Sequence, residues 1–162
     1  MQQQDFQAIA ELAADSCAFN DISGASKEIT QQAFLEQLDY LIEEVREIQE
    51  GIETKNKVEI LDGIVDTLVV TFGMLQKLKN TYDCNIVEAC NRIGINNLSK
   101  YPVDQDTVHQ TQDMYDVKGV DTYWTFNDEY QVFVIRDKEK NKVKKPYGFV
   151  PVDLTDCFPT SQ

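Results

Sequence analysis

Histidine is almost missing from this chain: His109 is the only one among 162 residues. A diiron carboxylate bundle needs Glu-x-x-His pairs on two helices, so that class is excluded. Basic residues are scarce too, with 15 Lys and Arg against 28 Asp and Glu and a formal net charge of -13. Nucleic acid and anionic membrane surfaces are poor partners for such a chain, because phosphate contacts need clustered Lys and Arg. The four cysteines, Cys17, Cys84, Cys90 and Cys157, lack the short paired spacing of a zinc knuckle or a redox CxxC. They read as reduced thiols, which places the protein in the cytoplasm. No segment approaches the ~20 apolar residues of a membrane span. The stretch MQQQDFQAIAELAADS has acidic residues and no basic segment ahead of an apolar run, so no signal peptide is expected there. Internal repeats and low-complexity segments are absent.

What the chain has is apolar periodicity and clustered acids. A 42% hydrophobic content over this length suffices for one domain with a core. Residues 3–19 place Phe6, Ile9, Leu12, Ala13 and Cys17 on one side of a first helix. DISGAS then interrupts, and a second helix is expected from near Ser26 or Thr30 to a stop at Gly51. Its core stripe gathers Phe34, Leu35, Leu38, Leu41, Ile42, Val45, Ile48 and Ile52, with Glu43 beside the stripe, Glu47 opposite it and Glu44 nearer its border. A third helix, residues 55–79, has apolar residues almost all round its axis, which predicts burial. On it Glu59, Asp62 and Asp66 fall within about 60° of one another.

A fourth helix over IVEACNRIGINNLSK brings Arg92 and Lys100, and Pro102 follows. Residues 102–119 show no period and read as a loop containing His109. In the tail, Tyr130 to Ile135 reads as a strand, DKEKN as a turn and Lys142 to Lys145 as the return strand. The expected architecture is mainly α, a bundle of four to five helices with a small C-terminal β-hairpin. Residues 1–101 form the helical core, 102–119 the loop, and 120–162 an extension of the same domain.

The chemistry follows from the acids. Two antiparallel helices joined by the short GIETKN connection face Glu43, Glu44 and Glu47 toward Glu59, Asp62 and Asp66. Carboxylates so crowded take up protons or bind a cation. Ligands that are all carboxylate suit Mg²⁺ or Mn²⁺, which prefer hard oxygen donors. An EF-hand is disfavoured, since its ligands sit in a loop. The lysines at 138, 140, 142, 144 and 145, with Arg136, form either a solvated hairpin surface or a phosphate contact.

The order EEVRE at Glu43 to Glu47, then EILD at Glu59 to Asp62, resembles the all-α nucleoside triphosphate pyrophosphohydrolases of the MazG-like and dimeric dUTPase-like superfamily. ILDGIVDTLVVTFG, NNLSK and the late KVKKPYGFVPVDL are similar to its phage-encoded branch, so the likeness runs from about Phe34 to Leu154. The resemblance implies Mg²⁺-dependent hydrolysis of a nucleoside triphosphate between the α and β phosphates. It implies Glu44, Glu47, Glu59 and Asp62 as metal ligands, and Glu43 as a further ligand or the base that orients water, so that the catalytic acids are Glu43, Glu44 and Glu47. Asp66 would be a ligand or a group that orients one. Asn97, Lys100 and Lys145 would touch phosphate. Homodimers or homotetramers are implied as well. Shorter members of the family lack the hairpin tail.

Two other classes compete: an acidic helical scaffold whose glutamates are merely solvated, and a nucleotide-binding protein without catalysis. Tyr40, Phe72, Tyr101 and Trp124 are the aromatic groups able to stack on a base.

Overall fold

The computed structural model describes residues 1–27 and 30–159; Glu28, Ile29 and the last three residues of the expected C-terminal extension lie outside them. The fold is mainly α, with five helices and one two-stranded antiparallel hairpin among the described residues, as the periodicity predicts. The chain divides into two compact units, with the boundary between Ile86 and Val87, inside the fourth helix. This division differs from the expected one at residues 101 and 119.

The first unit holds α1 (Gln3–Ser23), a 3-10 turn (Ala25–Lys27), α2 (Gln31–Thr54) and α3 (Lys57–Tyr82), with residues 158–159 added from the C-terminal end. Each helix starts on a cap that the sequence supplies. Gln2 and Asp5 form a capping box for α1. Thr30 Oγ1 accepts from Ala33 N at 3.1 Å for α2, and Asn56 Oδ1 accepts from Val58 N at 3.2 Å and from Glu59 N at 3.4 Å for α3. The second helix does not stop at Gly51. It runs to Thr54 and ends on Lys55, which adopts the left-handed conformation at φ 59°.

Gly51 instead belongs to a close helix crossing. A Cβ there would lie 3.0 Å from both the backbone N and Cγ1 of Ile60, and one at Gly63 would lie 2.8 Å from Ile48 Cγ1 and 3.3 Å from Glu44 O. One at Gly73 would meet Gln37 Oε1 at 3.0 Å. The pairs Gly51 with Ile60, Ile48 with Gly63, and Gln37 with Gly73 descend along α2 as they ascend along α3. The two helices are therefore antiparallel, with glycine at successive points of contact.

Burial of α3 is a correction. Within the described chain only Gly63, Gly73 and Lys77 are buried on it, while Val58 is 76% and Leu61 65% exposed. The reason is the number of neighbours: α3 packs on α2 along its length and on α1 near its C-terminal half, through Gln76 and Gly73. The α2 stripe is likewise only partly covered, with Leu35, Leu38, Ile42, Val45 and Ile52 exposed. On α1 the covered positions are Ser16 and Asn20, whereas Phe6 is exposed.

The second unit contains most of α4 (Ile86–Leu98), then α5 (Gln105–Asp116), β1 (Thr122–Asn127), β2 (Val132–Asp137) and the segment to Cys157. Helix α5 corrects the expected loop over 102–119 and carries His109 on an exposed position. Asp104 caps it, accepting from Thr107 N at 2.7 Å. Its buried pair is Val108 and Thr111, so half of the inward stripe is polar and the apolar period is hidden. Thr111 is satisfied there, since its hydroxyl donates to Thr107 O and accepts from Tyr147 N at 2.8 Å.

The hairpin is also shifted by one turn from its expected place. Tyr130 lies in the turn after β1, where Asn127 Oδ1 accepts from Glu129 N and Tyr130 N at 3.1 Å each, and β2 pairs back along β1 from Asn127↔Val132 to Thr122↔Asp137. The DKEKN turn exists, with Asp137 Oδ1 accepting from Glu139 N and Lys140 N at 2.9 Å each, but its return pairs only through the bridge Arg136↔Val143. Period-two alternation divides the sheet. Ile135 and Asp137 are buried with Thr122 on the face that packs on α5, and Val132, Val134 and Arg136 lie on the other.

Candidate acidic site

Position 44 is the centre of the arrangement. At the crossing, Gly63 sits 3.3 Å (as measured from an added Cβ) from the Glu44 carbonyl, so α3 passes close over the first acidic cluster. Glu44 is half-buried, and its Oε2 atom is sealed from solvent with no hydrogen-bond partner. Loss of water raises its carboxyl above the ordinary value, and the negative charges of Glu47, Asp66, Glu43 and Asp62 raise it further, in that order. Four of the neighbours expected from the two clusters thus act on one carboxylate. An orphaned carboxylate oxygen among like charges is costly, and taking up a proton or a hard cation removes the cost.

The other expected residues are placed less uniformly. Glu47 and Asp66 are half-buried, while Glu43 and Asp62 are exposed rather than lining an interior. Glu59 stands apart in the first turn of α3, facing Asn56 Nδ2 at 3.5 Å, and is not among the charges that act on Glu44. Among the described residues, no three His, Cys, Asp or Glu side chains converge into a metal cage. The acids gather around Glu44 without closing on a common point.

The expected phosphate contacts belong to the second unit. Lys100 Nζ donates to Asn97 Oδ1 at 2.7 Å, so these two form a pair at the end of α4. Lys145 lies over the Phe149 ring at 4.9 Å. The NNLSK and KKPYGFV segments meet in a cleft of about 450 Å³ lined by Ser99, Tyr101, Pro146 and Tyr147, and Asn96 Nδ2 donates to Val150 O at 2.7 Å. That convergence was invisible in the sequence, where the two segments are far apart. Of the other cations, Arg92 is spent on Glu88 at 2.6 Å and on both oxygens of Asp156. Lys144 pairs with Asp137 at 3.2 Å, whose carboxyl is held below its ordinary value first by the Lys140 backbone N–H and then by Lys144. Among the aromatics, Trp124 packs edge-on against Phe133 at 5.2 Å, Tyr40 is exposed, Phe72 is half-buried and Tyr101 lines the cleft.

A pH prediction follows for Glu44. Its folded-state affinity for a proton exceeds that of the unfolded chain, so ionisation of Glu44 costs stability. The cost is fully present above the raised folded value and is absent below the ordinary unfolded value. Glu44→Gln is therefore expected to raise Tm in EDTA at neutral pH, with the gain shrinking as pH falls through that window. A Tm difference that stays constant with pH, or a loss of stability at pH 7, refutes the placement of Glu44.

All four cysteines are free, and no helix among the described residues is long and apolar enough to cross a membrane. No protein-family model, curated protein or solved structure matches this chain.

Proposed function

We propose that the chain is a Mg²⁺-dependent nucleoside triphosphate pyrophosphohydrolase, cleaving a ribo- or deoxynucleoside triphosphate between the α and β phosphates to the monophosphate and pyrophosphate. The observation that carries this reading is the sealed, unpartnered Glu44 oxygen among Glu47, Asp66, Glu43 and Asp62. The spacing of EEVRE and EILD, with its likeness to the MazG-like enzymes, supplies the reaction class.

In this reading Glu44, Glu47 and Asp62 hold Mg²⁺, Glu59 turns from Asn56 to join them, and Asp66 completes or orients the set. Bound there, Mg²⁺ (or Mn²⁺) supplies charge neutralisation for the phosphate oxygens and an acidified water. Glu43, exposed beside the cluster, orients the attacking water and accepts its proton. As the water oxygen bonds to the α-phosphorus, the bond to the α–β bridging oxygen breaks and pyrophosphate leaves. Asn97, Lys100 and Lys145 bind phosphate. The open apolar surface of α2 and α3 supports a homodimer or homotetramer, because a second copy would cover it. A role in the cytoplasm, adjusting the deoxynucleotide pool as in a phage, extends the same likeness.

A specific observation favours one alternative. The acids do not close into a cage and the helices expose apolar faces, as a non-catalytic acidic interaction or nucleotide-binding protein would. Thermal denaturation separates the two. A cation that binds only the folded chain is expected to raise Tm, by about 2.7 kcal/mol of stability at one hundred times its Kd. A Tm that does not respond to millimolar Mg²⁺ favours the interaction protein.

A further inference from the structure

The hairpin has a second face that the acidic site does not use. In a two-stranded antiparallel sheet with one face on a helix, the opposite face is ordinarily polar and solvated. Here it presents Val132, Val134 and Arg136, and Leu98 at the end of α4 and Tyr101 in the turn after it complete the lining. Phe133 N donates to Pro102 O at 2.8 Å, which ties the chain after α4 to β2. The result is a cleft of about 500 Å³ within the second unit, with Tyr130 at its edge. That volume is in the range of small-molecule sites.

The charge of the cleft is the second observation. Arg136 is half-buried, and its guanidinium makes one hydrogen bond among the described residues, from Nη1 to Asn141 O at 3.2 Å. Among the described residues no carboxylate pairs with it, although acids outnumber bases 28 to 15 in the full sequence, and Arg92 and Lys144 both have acidic partners. Asn127 also lines the cleft; its Oδ1 is occupied by the turn, which leaves its amide N–H groups to donate. A guanidinium with unused donors beside apolar walls fits an anionic group attached to an apolar body.

We propose that this cleft binds a small molecule that joins an aromatic ring to one anionic group, with the ring against Val132, Val134 and Tyr101 and the anion on Arg136. Two sources share that chemistry, a simple aromatic carboxylate and a nucleoside monophosphate.

Titration of the isotope-labelled full chain with 2-naphthoate, 5′-AMP and the neutral 2-naphthalenemethanol tests the site by amide chemical shifts. The expected result is saturable shifts at Leu98, Tyr101, Val132 and Val134, with the neutral analogue about tenfold weaker than naphthoate. Arg136→Gln is expected to weaken the anion by the same factor and leave the neutral analogue unchanged, while Arg136→Lys retains most of the affinity. Tighter binding of 5′-AMP assigns the site to nucleotides, and tighter binding of naphthoate to aromatic acids. Equal affinity of wild type for naphthoate and its neutral analogue, shifts confined to α2 and α3, or no binding of either anion at millimolar concentration overturns the proposal.

Discussion

Asp62→Asn is expected to cut pyrophosphate release from the preferred nucleoside triphosphate by about 10²–10³-fold, the loss typical when one charged group is removed from around a transition state. Asp62 is exposed and forms no ion pair among the described residues, so the isosteric amide leaves the helix and its packing intact. Its contribution is charge at the Glu44 cluster. The Mg²⁺-free Tm of the variant should therefore match wild type or exceed it slightly, since one repulsive neighbour of Glu44 is gone. The Mg²⁺-induced rise in Tm should shrink in parallel with the rate. The measurement is pyrophosphate release across ribo- and deoxynucleoside triphosphates with Mg²⁺, with Asp106→Asn on α5 as the control for a remote charge. Wild type that turns over no triphosphate sinks the enzyme reading. Full activity in Asp62→Asn removes Asp62 from the site.

Gly63→Val is expected to destabilise the first unit by about 3 kcal/mol and to abolish activity with it. A Cβ at this position lies 2.8 Å from Ile48 Cγ1 and 3.3 Å from both Glu44 O and Ile48 N. Ile48 must yield a few tenths of an ångström to a single methyl group, and alanine regains about 1 kcal/mol of helix propensity, which offsets that cost. Gly63→Ala is consequently expected to change stability little. Valine adds two further methyl groups against backbone atoms of α2 that do not rotate, so α2 and α3 must separate. Separation also hydrates Glu44 and disperses the charges around it, so its carboxyl returns toward its ordinary value. Urea unfolding followed by helical circular dichroism reads the first effect. An unchanged midpoint for Gly63→Val shows that the two helices do not approach as described.

Legibility of the fold varied with the physical signal each segment carries. Helices α2 and α3 are plain because their apolar residues recur at helical spacing, and Thr30 is a typical capping residue for α2; the Asn56 cap of α3 emerges only in the structure. Helix α5 was hidden because Thr111 occupies a buried position that a period search counts as polar. The hairpin was recognised, but its strands were displaced, since DKEKN and the turn at 128–131 are both good turns and only pairing distinguishes them. Gly51 reads as a stop for a related reason, whereas α2 runs on to Thr54. Glycine at a helix end and glycine at a helix crossing look the same until the partner helix is known.

The candidate site divides the same way. The acids at 43, 44, 47, 59, 62 and 66 and their helical spacing were determined by residue type and order alone. So was the mainly α class, because periodicity is a property of the chain itself. Tertiary structure decided which acid is central. Only the glycine-mediated approach of α3 to α2 strips water from Glu44 and not from Glu43, one residue away, and leaves Glu59 with Asn56. It also decided that α3 stays largely open, since burial depends on how many neighbours a helix has and not on how apolar it is.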